Sequence, residues 1–140
     1  MTPTHSHDSS AGAVPRMALA PGLEVSRIIT GLWQVADQER DGRVLDLDVA
    51  TQAMHAYVEA GFTTFDMADH YGSAEEIVGR YRIGVRASGH PRGHPRGHMP
   101  IQALTKWVPE PGPVSAADVR TAVERALRRL GAERLDLLQF

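Results

Sequence analysis

Along residues 23–140 short β-rich runs take turns with longer helix-periodic segments, and this alternation constrains the fold more than any other feature. The β-rich runs are Arg27-Ile-Ile-Thr-Gly-Leu-Trp33, Phe62–Asp66, Ile101–Lys106 and Leu135–Phe140, with Leu23–Ser26 able to form a short hairpin ahead of the first. Between them Asp48 is expected to cap a helix to about Ala60, with Val49, Ala53, Met54, Tyr57 and Val58 near one face and Gly61 as its stop. A second helix is expected from near Ser73 to about Tyr81, with Glu75 and Glu76 in the first turn, where the helix dipole favours carboxylates. Ser115 opens the third, with Asp118 placed for a capping box and Gly131 as the stop. Its apolar positions Val119, Ala122, Val123, Ala126, Leu127 and Leu130 recur at helical spacing. Arg120, Glu124, Arg125, Arg128 and Arg129 then read as a solvated face with a Glu124–Arg128 pair.

The resulting order, β-α-β-α-β-α-β, specifies an α/β fold with a parallel sheet and right-handed crossovers, either open and doubly wound or closed as a barrel. Both architectures put chemistry at the carboxyl ends of the strands.

Two segments fall outside the pattern. Residues 1–22 are rich in Ser, Thr, Pro, Ala and Gly and read as a disordered arm ahead of the folded residues 23–140. Residues 82–100 carry a tandem Gly-His-Pro-Arg tetrapeptide and no acidic residue, and read as a loop insertion. His90, His94 and His98 lie on it, but X-Pro bonds deny them a common face, so no metal site is assigned.

Composition narrows the function classes. With 15 Lys and Arg against 17 Asp and Glu, net charge −2, nucleic acid and anionic lipid are not expected partners. The absence of cysteine excludes disulfide scaffolds, thiolate metal sites and cysteine nucleophiles. No apolar run approaches the roughly 18–20 residues of a membrane-spanning helix, and no secretory signal is evident, so a cytoplasmic protein is expected.

At the strand ends stand Gly31-Leu-Trp-Gln34, then Asp66 with Tyr71 following in its loop, then Lys106-Trp107. Lys106 is the single lysine among 15 basic residues. A phenol, with a pKa of about 10, donates a proton poorly at neutral pH until an ammonium beside it stabilises the phenolate. A carboxylate bonded to that ammonium holds it in place, and the trio suits protonation of a carbonyl oxygen while hydride arrives at carbon. Each residue alone has a plainer reading: a turn carboxylate, a packed loop aromatic, a surface charge.

The segment Gly61-Phe-Thr-Thr-Phe-Asp-Met-Ala-Asp-His-Tyr-Gly-Ser-Ala-Glu-Glu-Ile-Val-Gly79 resembles the second-strand signature of the aldo-keto reductases. Leu104-Thr-Lys-Trp107 is similar to the end of that family's third strand, Gly31-Leu-Trp33 to its first, and Leu135-Asp-Leu-Leu-Gln-Phe140 to its fourth. The resemblance implies part of a (β/α)8 TIM barrel, about four strands and three helices, that reduces small aldehydes or ketones with NADPH, NADH not being excluded. It casts Tyr71 as general acid, Lys106 as the group that makes the phenol a better acid, and Asp66 as the carboxylate paired with Lys106. It also places Gly31, Leu32, Trp33 and Asp66 against the cofactor. A histidine completes the family's set directly after the fourth-strand pattern, and the sequence ends at Phe140, one residue short of it.

A full barrel needs about 250 residues, so four strands form about half of one, with two unpaired edges. The chain is therefore expected to be the first half of a reductase and catalytically incomplete by itself. A different class of reading is a noncatalytic half barrel or regulatory subunit that self-associates through its open edges. A small nucleotide-binding open sheet is disfavoured, because no glycine-rich phosphate loop follows the first strand.

Overall fold

A computed structural model describes residues 14–35, 42–87 and 100–140. An antiparallel hairpin, β1 (Arg16–Ala20) and β2 (Leu23–Ser26), precedes a four-stranded parallel sheet. The sheet is built from β3 (Thr30–Gly31), β4 (Thr64–Asp66), β5 (Gln102–Lys106) and β6 (Leu137–Gln139), in that spatial order. Helices α1 (Leu47–Glu59), α2 (Ala74–Ala87) and α3 (Ala116–Leu130) connect them. Neighbours in sequence are neighbours in space, α1 packing on α2 and α2 on α3. Consecutive order with helices in one layer is the winding of a barrel segment; a doubly wound sheet reverses its order partway.

The pleat divides the strands between two layers. Phe65 and Ala103 point to the helices and join Met54, Val58, Ile77, Val78, Tyr81, Val85 and Leu130 in one buried cluster. Thr64, Asp66, Gln102 and Lys106 share the other, inner face, Thr64 lying opposite Gln102 in the register. Gly79 sets the closeness of α2 to α3: a Cβ there would stand 2.0 Å from the Arg129 carbonyl oxygen.

Four expectations need correction. Arg16–Ala20, expected within the arm of residues 1–22, is a strand that pairs with β2 across Pro21–Gly22, where Gly22 takes φ +79°. Residues 82–87, expected in the loop, continue α2 to Ala87, held by buried Val85 and by Arg82, which donates to Asp136 at 3.1 Å. The cap of α1 is Asp46, whose Oδ1 accepts from the backbone of Asp48 and Val49, while Asp48 pairs with Arg80 at 2.7 Å. The first parallel strand shrinks to Thr30–Gly31, since β4, its neighbour among the described residues, is three residues long. The three loop histidines lie outside the described residues.

Candidate active site

Inner-face residues of three strands converge at the carboxyl end of the sheet. Lys106 Nζ donates to both Asp66 oxygens at 2.6 Å and to the Met67 carbonyl at 2.9 Å, which uses all three of its N–H groups. Gln139, at the end of β6, donates to Asp66 Oδ1 at 3.2 Å. The Lys106 and Asp66 side chains are 23% and 28% exposed, so water screens the pair only in part. Both side chains point inward because they occupy like positions of the pleat on adjacent strands.

Tyr71 is carried by the β4–α2 loop, where its N–H donates to Ala68 and its carbonyl accepts from Ala74, the first residue of α2. Lys106 Nζ lies 5.0 Å from the Tyr71 ring centroid, over its face. The contact is between ammonium and ring; no hydrogen bond between Lys106 and the Tyr71 hydroxyl is found. Trp33 meets Tyr71 edge-on at 4.7 Å, closing one side of the ring. Asp66, Tyr71, Lys106 and Trp33, expected from the sequence, thus stand together. Gly31 is exposed on the same rim, with nothing within 4 Å of where a Cβ would sit. Leu32 differs: its side chain is buried in the core, and it faces the site only through its backbone, whose N–H donates to the Asp66 carbonyl at 3.0 Å.

Several residues of the site escape the sequence reading. Gln139 was signalled only by its sharing the inner face with Asp66. Arg125 and Arg129, assigned to a solvated face, reach back to the site loop: Arg125 donates to Asp69 Oδ2 at 2.9 Å, and Arg129 to the Asp69 carbonyl and to Glu75 Oε2, each at 3.2 Å. No Glu124–Arg128 ion pair forms among the described residues. Glu75 is 2% exposed and accepts from Thr105 at 2.6 Å. Its carboxylate therefore serves strand β5 and helix α3 as well as the helix dipole. His70, next to Tyr71, donates or accepts through Nδ1 at 3.1 Å from Asp69 Oδ1. Among the described residues no group of three His, Asp or Glu side chains could hold a metal ion.

A phenol against an ammonium, with that ammonium clamped by a carboxylate at the carboxyl end of a parallel sheet, is a proton-handling site. Residues 27–140 match the model of the Aldo/keto reductase family. A 6-dehydroglucose reductase of Agrobacterium fabrum is 33% identical over 141 residues, covering 88% of this chain and 42% of that protein. A Bombyx mori aldo-keto reductase solved in complex with NADP superposes with a TM-score of 0.64 at 25% identity, over 91% of this chain and 38% of its own. An aldo/keto reductase of Brucella melitensis gives 0.58 at 25% identity, over 90% and 41%. The chain spans less than half the length of each of these relatives, consistent with four strands of an eight-stranded barrel. With a family match that covers the sheet, the three helices and every residue of the rim, the chain belongs to the aldo/keto reductase family.

Proposed function

We propose that this chain forms the first half of a carbonyl reductase that converts aldehydes or ketones to alcohols with NADPH. The observation that carries the reading is the Lys106 ammonium, held by Asp66 at 2.6 Å and set 5.0 Å from the Tyr71 ring. Tyr71 gives its hydroxyl proton to the carbonyl oxygen. The Lys106 ammonium stands against the ring that gives up the proton, and Asp66 keeps that ammonium in place. NADPH, when bound, supplies the hydride for the carbonyl carbon. The open space over Gly31, beside the indole of Trp33, suits a flat ring lying against the backbone, with Leu32 and Asp66 bordering it. NADH would supply the same hydride in place of NADPH. The Agrobacterium relative, a 6-dehydroglucose reductase, supports a small carbonyl compound as substrate.

The 140 residues by themselves are expected to turn over slowly, because they span less than half the length of the reductase relatives and four strands of an eight-stranded barrel. Fluorescence-detected NADPH oxidation with an excess of aldehyde tests both points. Residual oxidation should fall about 100-fold in Tyr71→Phe. An unchanged rate in that variant would remove Tyr71 from its role, and rapid turnover by the wild-type chain would show it to be sufficient. We place the protein in the cytoplasm without a nucleic-acid or membrane partner. No described helix is long and apolar enough to cross a membrane.

The same open edges favour a second reading, a noncatalytic half barrel acting through self-association. Light scattering after size exclusion separates the two: a discrete dimer with no NADPH oxidation supports the second, a monomer that oxidises NADPH the first.

A further inference from the structure

From helix α3 the Arg129 side chain crosses the turn that carries Tyr71. Its Nη1 donates at 3.2 Å to the Asp69 carbonyl, two residues before Tyr71, and at 3.2 Å to Glu75 Oε2, four residues after it. One nitrogen with two hydrogens thus joins both ends of the turn. The Glu75 side chain is 2% exposed, so this charge-assisted bond is made out of water's reach. The other Glu75 oxygen accepts from the Thr105 hydroxyl at 2.6 Å, and Thr105 precedes Lys106 on β5. Before Tyr71 the backbone itself binds β5: Met67 and Asp69 N–H groups donate to the carbonyls of Leu104 and Lys106 at 2.8 and 2.9 Å. After Tyr71 the tie to β5 runs through Glu75, and Arg129 locks that carboxylate to the first part of the turn. Between the two ends, Tyr71 N–H donates to Ala68, Ala74 N–H donates to the Tyr71 carbonyl, and Gly72 takes φ +48°. Those local bonds shape the turn; the staple relates it to the strand that bears the ammonium. Arg125, one turn earlier on α3, donates to Asp69 Oδ2 at 2.9 Å and so meets the turn at one end.

We propose that Arg129 is a positioning residue for the reaction: by closing the turn between Asp69 and Glu75 it fixes the Tyr71 ring over the Lys106 ammonium, 5.0 Å from Nζ. The inference rests on the reductase reading of Tyr71, which supplies the reaction, while the geometry that it concerns is measurable without turnover. Without Arg129 the chain still folds around its buried cluster, but the turn opens on the side after Tyr71 and the phenol leaves its place against the ammonium.

The test uses the 140-residue chain labelled with 13C at the lysine ε carbon and with 15N in its indoles. Lys106 is the single lysine, so one ε-CH2 signal arises, displaced by the Tyr71 ring that faces it. Tyr71→Leu marks its position without the ring. Folded and unfolded molecules interchange slowly and give separate signals, so intensity reports stability and position reports geometry. In Arg129→Met, which keeps the apolar stem, the folded signal should move most of the way to its Tyr71→Leu position. Arg125→Met should leave it in place. Glu75→Gln, which can still accept from Thr105 but loses the charge that holds Arg129, should move it in the same direction, and it decides the matter if Arg129→Met gives no folded signal. A folded signal that keeps its wild-type position while only its intensity falls would overturn the proposal, as would an equal movement in Arg125→Met. NADPH is titrated separately against the Trp33 indole N–H. A moved ε-CH2 signal without any Trp33 response to NADPH would uphold the staple while removing the reductase reading. A Trp33 response with an unmoved signal would do the reverse.

Discussion

The inner face of the sheet ends in a polar cluster at both extremities, and the two are built to opposite plans. At the amino ends of the strands Arg16 reaches from the hairpin to Thr63 at 2.6 Å, Ser26 at 3.3 Å, Gln102 at 3.0 Å and the Glu24 carbonyl at 2.8 Å. Thr64 accepts from the Ser26 backbone and donates to Gln102, which also donates to the Pro100 carbonyl. Ser26, Thr63, Thr64 and Gln102 are all buried under the hairpin. At the carboxyl ends Lys106 and Asp66 keep about a quarter of their surface in solvent, and His70 keeps about half. Side chains whose partners all lie within the protein fix a shape. Those that keep part of their surface in solvent on an open rim can meet a ligand.

If that division is right, the largest loss of stability comes from the closed end. Arg16→Ala removes four hydrogen bonds to a charged donor and leaves Thr63 and Gln102 buried with fewer partners, which costs about 2–4 kcal/mol in urea unfolding. The Trp33 response to NADPH should survive in whatever fraction stays folded. Glu75→Ala comes next. It strips Thr105 and Arg129 of their shared carboxylate, but Arg129 is 32% exposed and water takes it up, so the cost is about 2 kcal/mol. A loss at Glu75 larger than that at Arg16 would move the structural centre of the sheet to the rim.

How far the sequence reveals each end follows from the same contrast. Asp66, Tyr71 and Lys106 are legible because strand ends can be read from pattern, and each carries a residue whose chemistry is specific. The hairpin is legible only in its second strand, Leu23–Ser26; the first, Arg16–Ala20, is missed because alanines stand between Met17 and Leu19 and give no polar contrast. The arginines of α3 show why a helical pattern alone misleads. It separates charged from apolar positions but says nothing of what the charged side meets, and Arg125 and Arg129 meet the site loop. In α2 the spacing of Ile77, Tyr81 and Val85 already marked a continuing face, which the glycines and prolines beyond it obscured.

Lys106→Met sharpens the comparison from the open end. Asp66 would keep its bond from Gln139 and its contact with water, so unfolding should shift by no more than about 1 kcal/mol. NADPH oxidation should drop by about 10²–10⁴ in the same variant, since Tyr71 loses the ammonium that stands against its ring. A loss of several kcal/mol without a specific loss of rate would make Lys106 a structural residue like Arg16.

The smallest effect is expected at the start of α3, whose capping box is fully exposed to solvent on the rim side. Ser115 accepts from the Asp118 backbone at 3.2 Å, and Asp118 Oδ2 accepts from the Ser115 backbone at 2.9 Å and from its hydroxyl at 2.7 Å. Ser115→Ala should cost about 0.5–1 kcal/mol at pH 7. The hydroxyl first, and the backbone N–H second, hold the Asp118 carboxyl below its ordinary value of 3.8. Protonation is thus easier in the unfolded chain than in the folded one. The contribution of Asp118 is whole above that ordinary value and is lost as the pH falls through the lower, folded-state value. Urea melts from pH 7 down to pH 3 should therefore bring the wild type toward Asp118→Asn, which lacks this titration. Curves that stay parallel would mean that the box adds nothing beyond the helix itself, and that even the charges around the open rim are fixed by the closed end of the sheet.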